Sequence, residues 1–170
     1  RAVPGDPRAE GTTMGPLARA DLRDEVHDQV QRSIDKGATL LGGGVVPEGP
    51  GAFYPPTLLV DVVPGMAAAD EEVFGPVAAV LRAEDEAHAI RLANDTPFGL
   101  GAAVFTGDPA RGRRIAAVEL DAGSCFVNGL VASDPRLPFG GIKQSGYGRE
   151  LADLGIRSFV NHKTVVVAAR

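Results

Sequence analysis

AAVFTGDPARGRRIAAVELDAGSCFVN, residues 102–128, is the stretch whose reading decides the fold. Two short apolar runs, 102–105 and 125–128, bracket a longer helical stretch at 109–118. Strand, helix and strand at this spacing predict a βαβ crossover and hence a parallel sheet. The pattern extends upstream through a helical stretch at 85–94 and strands at 77–81 and 57–60. Before them, Leu22, Val26, Val30 and Ile34 recur every fourth residue, which predicts an amphipathic helix over 17–36. Gly37 stands where a C-terminal cap belongs. The glycines at 42–44 and VVPEGPGAF at 45–53 predict a turn or hairpin tip, and residues 1–16 an irregular lead-in. The closing SFVNHKTVVVAAR, 158–170, is β-branched and reads as a strand with no hairpin partner nearby. Such a strand needs a partner inside the fold or on another subunit. The expected class is α/β, a parallel sheet with flanking helices.

Bulk properties narrow the function. The chain has 170 residues, 44% apolar and 23% charged, with net charge -5 and a pI near 5.2. No basic block is present, so the electrostatic footprint of a nucleic-acid binder is missing. No window approaches the ~20 apolar residues that span a bilayer. RAVPGDPRAEG at the start has neither a hydrophobic signal region nor an initiator Met, and reads as neither secretory nor a natural start. A lone Cys125 excludes an internal disulfide and fits a reducing compartment, so a cytoplasmic location is expected. His27, His88 and His162 offer no zinc-ligand spacing, and no metal is expected.

Several chemistries can be tested on spacing. PFGGIKQSGYGRE, 138–150, has the glycines of a phosphate loop but not the spacing, and Lys143 reads as a solvated loop cation. FGLGAAV, 98–104, offers Gly99-x-Gly101 but has Val104 at the third fingerprint position and precedes a strand. Cys125 sits among apolar residues, which raise a thiol pKa, and reads as buried and inert. No nucleophile elbow of the serine-hydrolase type occurs. ADEEVFGPV, 69–77, reads as a solvated helix end before a turn, or as a site. In the second reading a carboxylate accepts from a pair of sugar hydroxyls, and an aromatic two residues on walls a flat ring.

EEVFGPV, NDTPFGLGAAVFT and FVNGLVASDPRLPFGGIKQSGYGRE, in this order and at these separations, resemble the aldehyde dehydrogenase superfamily. The likeness runs from MGPL at Met14 to the terminal strand, and the SDPRLPFGG context is most similar to the succinate-semialdehyde group. The resemblance implies that residues 1–158 are the C-terminal part of the catalytic domain and 159–170 an oligomerisation β-arm. It implies NAD or NADP as cofactor, an aldehyde as substrate, and a homodimer or homotetramer. It also implies that the catalytic cysteine, general-base glutamate and oxyanion asparagine lie upstream of MGPL. Cys125 does not match the nucleophile.

Carried over by position, Glu72 resembles the glutamate that binds the nicotinamide ribose, with Glu71 its neighbouring alternative. Phe74 resembles the aromatic beside the nicotinamide, and Leu100 a second apolar contact to that ring. Asn128 opens the loop that lines the substrate tunnel, Ser133 matches a serine that hydrogen-bonds a substrate carboxylate, and Phe139 matches a tunnel wall. Glu150 matches a glutamate of a supporting proton relay, on a short helix after Ser145, with Arg149 nearer the subunit interface. Arg136 reads as an exposed loop charge, with bidentate binding of a substrate carboxylate as the alternative. The chemistry implied is thiolate attack on an aldehyde, hydride transfer to the nicotinamide and hydrolysis of a thioester. These residues would position the reactants. A non-catalytic assembly module is the alternative expectation for the chain by itself.

Overall fold

The computed structural model describes residues 2–169. They form two compact units that meet in sequence between Glu84 and Asp85.

Unit 1 begins with α1, Ala20–Asp35, whose repeat of every fourth residue places Val26 and Val30 on one buried stripe. Gly37, at φ +108°, ends the helix. Its N–H donates to Ile34 O at 2.9 Å and that of Ala38 to Ser33 O at 3.0 Å, so two orphan carbonyls are satisfied. The chain continues through β1, Thr39–Gly42, β2, Thr57–Val62, the single turn α2, Ala67–Asp70, and β3, Val77–Leu81. The sheet order is β1-β2-β3. β2 and β3 run parallel, as expected, but β1 was not anticipated and pairs antiparallel with β2, making the sheet mixed. Residues 43–56 join that pair, so the Gly/Pro-rich stretch is a hairpin connection. Asp61 at φ +56° interrupts the alternation of β2, and Val62 thereby faces inward with Leu59. Val26, Val30, Tyr54, Leu59, Val62 and Met66 close into one core. Each side chain of that size contributes about 1.5–3 kcal/mol by its burial.

Unit 2 carries α3, Glu86–Asn94, β4, Phe98–Gly99, β5, Gly101–Val104, α4, Pro109–Val118, β6, Ser124–Val127, β7, Ile142–Lys143, and α5, Ala152–Arg157. β5 and β6 are parallel across α4, with Ala102 opposite Cys125 and Val104 opposite Val127, which is the anticipated βαβ unit. β4 and β7 form a separate antiparallel pair, Phe98 opposite Lys143. Neither was legible as a strand, because two residues carry no periodicity.

Two expectations need correction. The helix that follows Ser145 starts at Ala152, beyond Glu150, and Glu150 itself pairs through its backbone with Phe139. Lys143 is exposed, as expected, but it is not a free loop cation: it lies in β7, and its Nζ donates to Asn94 O at 2.7 Å and Thr96 O at 3.2 Å, at the end of α3. Residues 161–169 form no strand within the chain, and Val165, Val166 and Val167 are exposed. Arg170 lies outside the described residues.

Candidate functional site

The acidic segment of unit 1 follows α2. Residues 71–76 carry no regular secondary structure; Val73 packs on the core, while Glu72 and Phe74 are left outside. Phe74 is 71% exposed at the apex of a tight turn in which Gly75 N–H donates to Val73 O at 2.9 Å. A Cβ on Gly75 would stand 2.8 Å from Val26 Cγ2, so only glycine lets this turn lie on α1. The two glutamates have different fates. Glu71 receives both nitrogens of the Arg32 fork, at 2.7 and 2.8 Å, and Gln29 Nε2 at 3.1 Å. Those hydrogen bonds hold its carboxyl at about 2, against an ordinary 4.5. The Glu72 carboxylate is exposed and has no hydrogen-bond partner among the described residues. An acceptor pair and an apolar ring face, two residues apart, suit a ribose diol and a flat heterocycle.

The remaining candidates lie in unit 2. Leu100 is half-exposed between β4 and β5, and its carbonyl accepts Ser124 N–H at 3.1 Å. Flanking it, Gly99 and Gly101 are packing positions and not a phosphate turn: a Cβ on them would press on Ile142 at 2.6 Å and on Val131 at 2.5 Å. Asn128, at φ +54°, closes β6 and opens the irregular 128–138 loop. Its amide is already engaged, accepting Thr106 N–H at 2.8 Å and donating to Thr106 O at 2.9 Å. The structure thus gives Asn128 a framework part in holding the loop's origin.

Ser133 is exposed in that loop, and its hydroxyl has no partner among the described residues. Arg136 folds back on Asp134, its Nε at 2.9 Å and Nη2 at 2.6 Å from the carboxylate oxygens, so its fork is occupied. Arg136 N–H also donates to Asp134 Oδ1, and these bonds hold the Asp134 carboxyl below its usual range. Phe139, half-buried, exchanges two backbone bonds with Glu150, at 2.9 and 2.8 Å. Arg149 staples the same loop by donating to Gly141 O at 2.7 Å and Gly148 O at 2.8 Å. Glu150 lines a cleft of about 580 Å³ with Pro135, Leu151, Ile156 and Phe159. Leu151 holds φ 65°, ψ 171°, a conformation that glycine tolerates and leucine does not, directly after Glu150. Phe139 and Glu150 are thus brought together, while Ser133 and Asn128 do not line that cleft.

Cys125 is half-buried, its Sγ lies 3.9 Å from Ala122 O, and burial pushes the thiol pKa up. That is the opposite of what a nucleophile needs. No group of three or more metal-ligating side chains occurs among the described residues, and no helix there is long and apolar enough to cross a membrane.

Residues 1–165 match the aldehyde dehydrogenase family. A succinate semialdehyde dehydrogenase [NAD(P)+] of Escherichia coli K12 is 52% identical over 161 residues, covering 95% of this chain and 35% of that protein. Among solved structures, succinic semialdehyde dehydrogenase of Streptococcus pyogenes in complex with NADP+ superposes with a TM-score of 0.93 at 39% identity. That match covers 99% of this chain and 37% of the other. Mycobacterium tuberculosis aldehyde dehydrogenase complexed with NAD+ gives 0.92 at 37% identity, over 98% of this chain and 35% of the other. The chain spans about a third of the length of these relatives, and with a match running through both units it belongs to the aldehyde dehydrogenase family.

Proposed function

We propose that the chain is the C-terminal part of an NAD(P)-dependent aldehyde dehydrogenase that oxidises succinate semialdehyde to the acid. The observation that carries the reading is the division of labour at 71–74: Glu71 is neutralised by Arg32, while Glu72 and Phe74 are left exposed side by side. Glu72 would accept from the nicotinamide ribose hydroxyls, and Phe74 would wall the ring. When bound, the cofactor accepts the hydride released by aldehyde oxidation. The nucleophile would come from a cysteine outside this sequence, since the environment of Cys125 disfavours the thiolate.

The acid-tailed substrate is supported by the names of the relatives and by the free Ser133 hydroxyl, which can donate to a carboxylate. Phe139 would wall the substrate tunnel, and Glu150 would support proton transfer from behind it. A lone thiol fits the cytoplasm. In a dehydrogenase containing this sequence, Ser133→Ala should raise KM severalfold for succinate semialdehyde and leave neutral aliphatic aldehydes unchanged. Equal kinetics with acid-tailed and neutral aldehydes in the unsubstituted enzyme would overturn the substrate assignment. The chain by itself should form no NADH or NADPH from any aldehyde.

A further inference from the structure

Adjacent glutamates in a cofactor loop raise a physical problem, because a small rotation of the backbone would exchange them. The structure answers it from one face of α1, at positions 29, 32 and 33, which the helical repeat brings together. Ser33 is fully buried, accepts Ala68 N–H at 2.9 Å and donates to Gln29 O at 2.8 Å, docking α2 onto α1. Arg32 forks onto Glu71 and is itself braced by Asp28, whose carboxylate accepts its Nε–H at 2.7 Å. Gln29 donates from Nε2 to Glu71 at 3.1 Å and to the Glu72 carbonyl at 3.3 Å. Only 4% of Gln29 is exposed, and its Oε1 has no partner among the described residues. Turning the amide over would set that oxygen against two acceptors, so the loop dictates its orientation. Both bonds of one buried amide nitrogen are therefore spent on the backbone and side chain of this short segment.

We propose that Arg32 and Gln29 are positioning residues that hold Glu71 and the Glu72 carbonyl in place and so aim the Glu72 carboxylate at the cofactor ribose. The inference rests on the reading of Glu72 as the ribose ligand. Neutralising Glu71 also leaves a single free carboxylate beside a cofactor that is itself an anion.

Steady-state kinetics of a dehydrogenase containing this sequence test the idea, with NADP+ and succinate semialdehyde varied in turn. Arg32→Ala should raise KM for NADP+ about three- to tenfold, the scale of one or two lost hydrogen bonds, with kcat and the aldehyde KM nearly unchanged. Arg32→Lys should recover only part, because an ammonium cannot form the fork. The double variant Arg32→Ala, Glu71→Ala should be no worse than Arg32→Ala, since both act through one contact. Glu72→Gln is the control for the underlying reading. If it leaves KM for NADP+ unchanged, Glu72 is not the ribose ligand and the inference falls with it. If Glu72→Gln raises that KM and Arg32→Ala does not, the positioning inference alone is overturned. A fall in melting temperature and kcat at constant cofactor KM would assign Arg32 a structural part and overturn it too.

Discussion

At the residue scale, the contrast between Glu71 and Glu72 has a consequence for acid stability. Hydrogen bonds from Arg32, then Gln29, hold the Glu71 carboxyl at about 2 in the folded chain, against 4.5 ordinarily. The unfolded chain therefore takes up this proton first, and the contribution of the pair is complete above pH about 4.5 and lost as pH falls toward 2. Both partners are half-exposed, so solvent screens the effect. Melting curves from about pH 6 to pH 3 should show Glu71→Gln less stable than the parent at the neutral end and converging with it at the acid end. A constant gap at all pH values would remove Arg32 as the cause. Sequence could not choose between the two glutamates on physical grounds, because Arg32 lies 39 residues away from Glu71. Gly123 makes a second residue-scale case. An added Cβ there would run into the Gly140 carbonyl, so Gly123→Ala should cost at least about 3 kcal/mol in denaturant titrations, in the range of severe backbone clashes.

Caps give the clearest predictions at the scale of elements. Asp108 opens α4 by accepting from Ala110 N–H at 3.0 Å and Arg111 N–H at 3.1 Å, with Pro109 at the first helical position. Asp108→Ala should cost about 1 kcal/mol, read as a shift in urea midpoint. Lys143→Ala should cost about 0.5–1.5 kcal/mol by releasing the Asn94 and Thr96 carbonyls, and Lys143→Arg should restore part of it. What was legible follows from the same physics. The helices 20–35, 86–94 and 109–118 and the strands at 57–62, 77–81, 101–104 and 124–127 have local periodicity or end signals, and all lie within a few residues of their expected places. The stripe on α1 named Val26 and Val30 but not the equally buried Gln29 and Ser33, because hydropathy hides a polar residue whose partners lie far along the chain. β1, β4 and β7 exist only through pairing with distant segments, and the role of Lys143 depends on α3 some 47–49 residues earlier. The candidate site was legible as a set of motifs, but not in the engagement of each side chain.

At the scale of the whole molecule the two units differ in how they are stabilised. Unit 1 has a closed cluster around Val30 and Leu59, whereas Ile115 is the one large apolar side chain of unit 2 that is buried among the described residues. Unit 2 leaves Phe105, Leu130, Leu137, Ile156 and Phe159 exposed, together with Val165 to Val167, the last at 89%. So many large apolar side chains left exposed suggest contact with another surface. The valines lie in 161–169, a β-branched segment without a strand partner of its own, which is suited to adding an edge to a sheet elsewhere. We therefore propose that 159–170 serve assembly, as an arm that pairs with a second copy. Deleting it should lower the mass of a dehydrogenase containing this sequence in light scattering after size exclusion, from tetramer or dimer toward monomer. The chain alone should elute as aggregates or higher oligomers unless the arm is removed or its valines are replaced by threonine, which keeps β propensity but reduces apolar area. An unchanged elution profile after the deletion would mean that the exposed valines serve contacts within one subunit, and the arm assignment would fail.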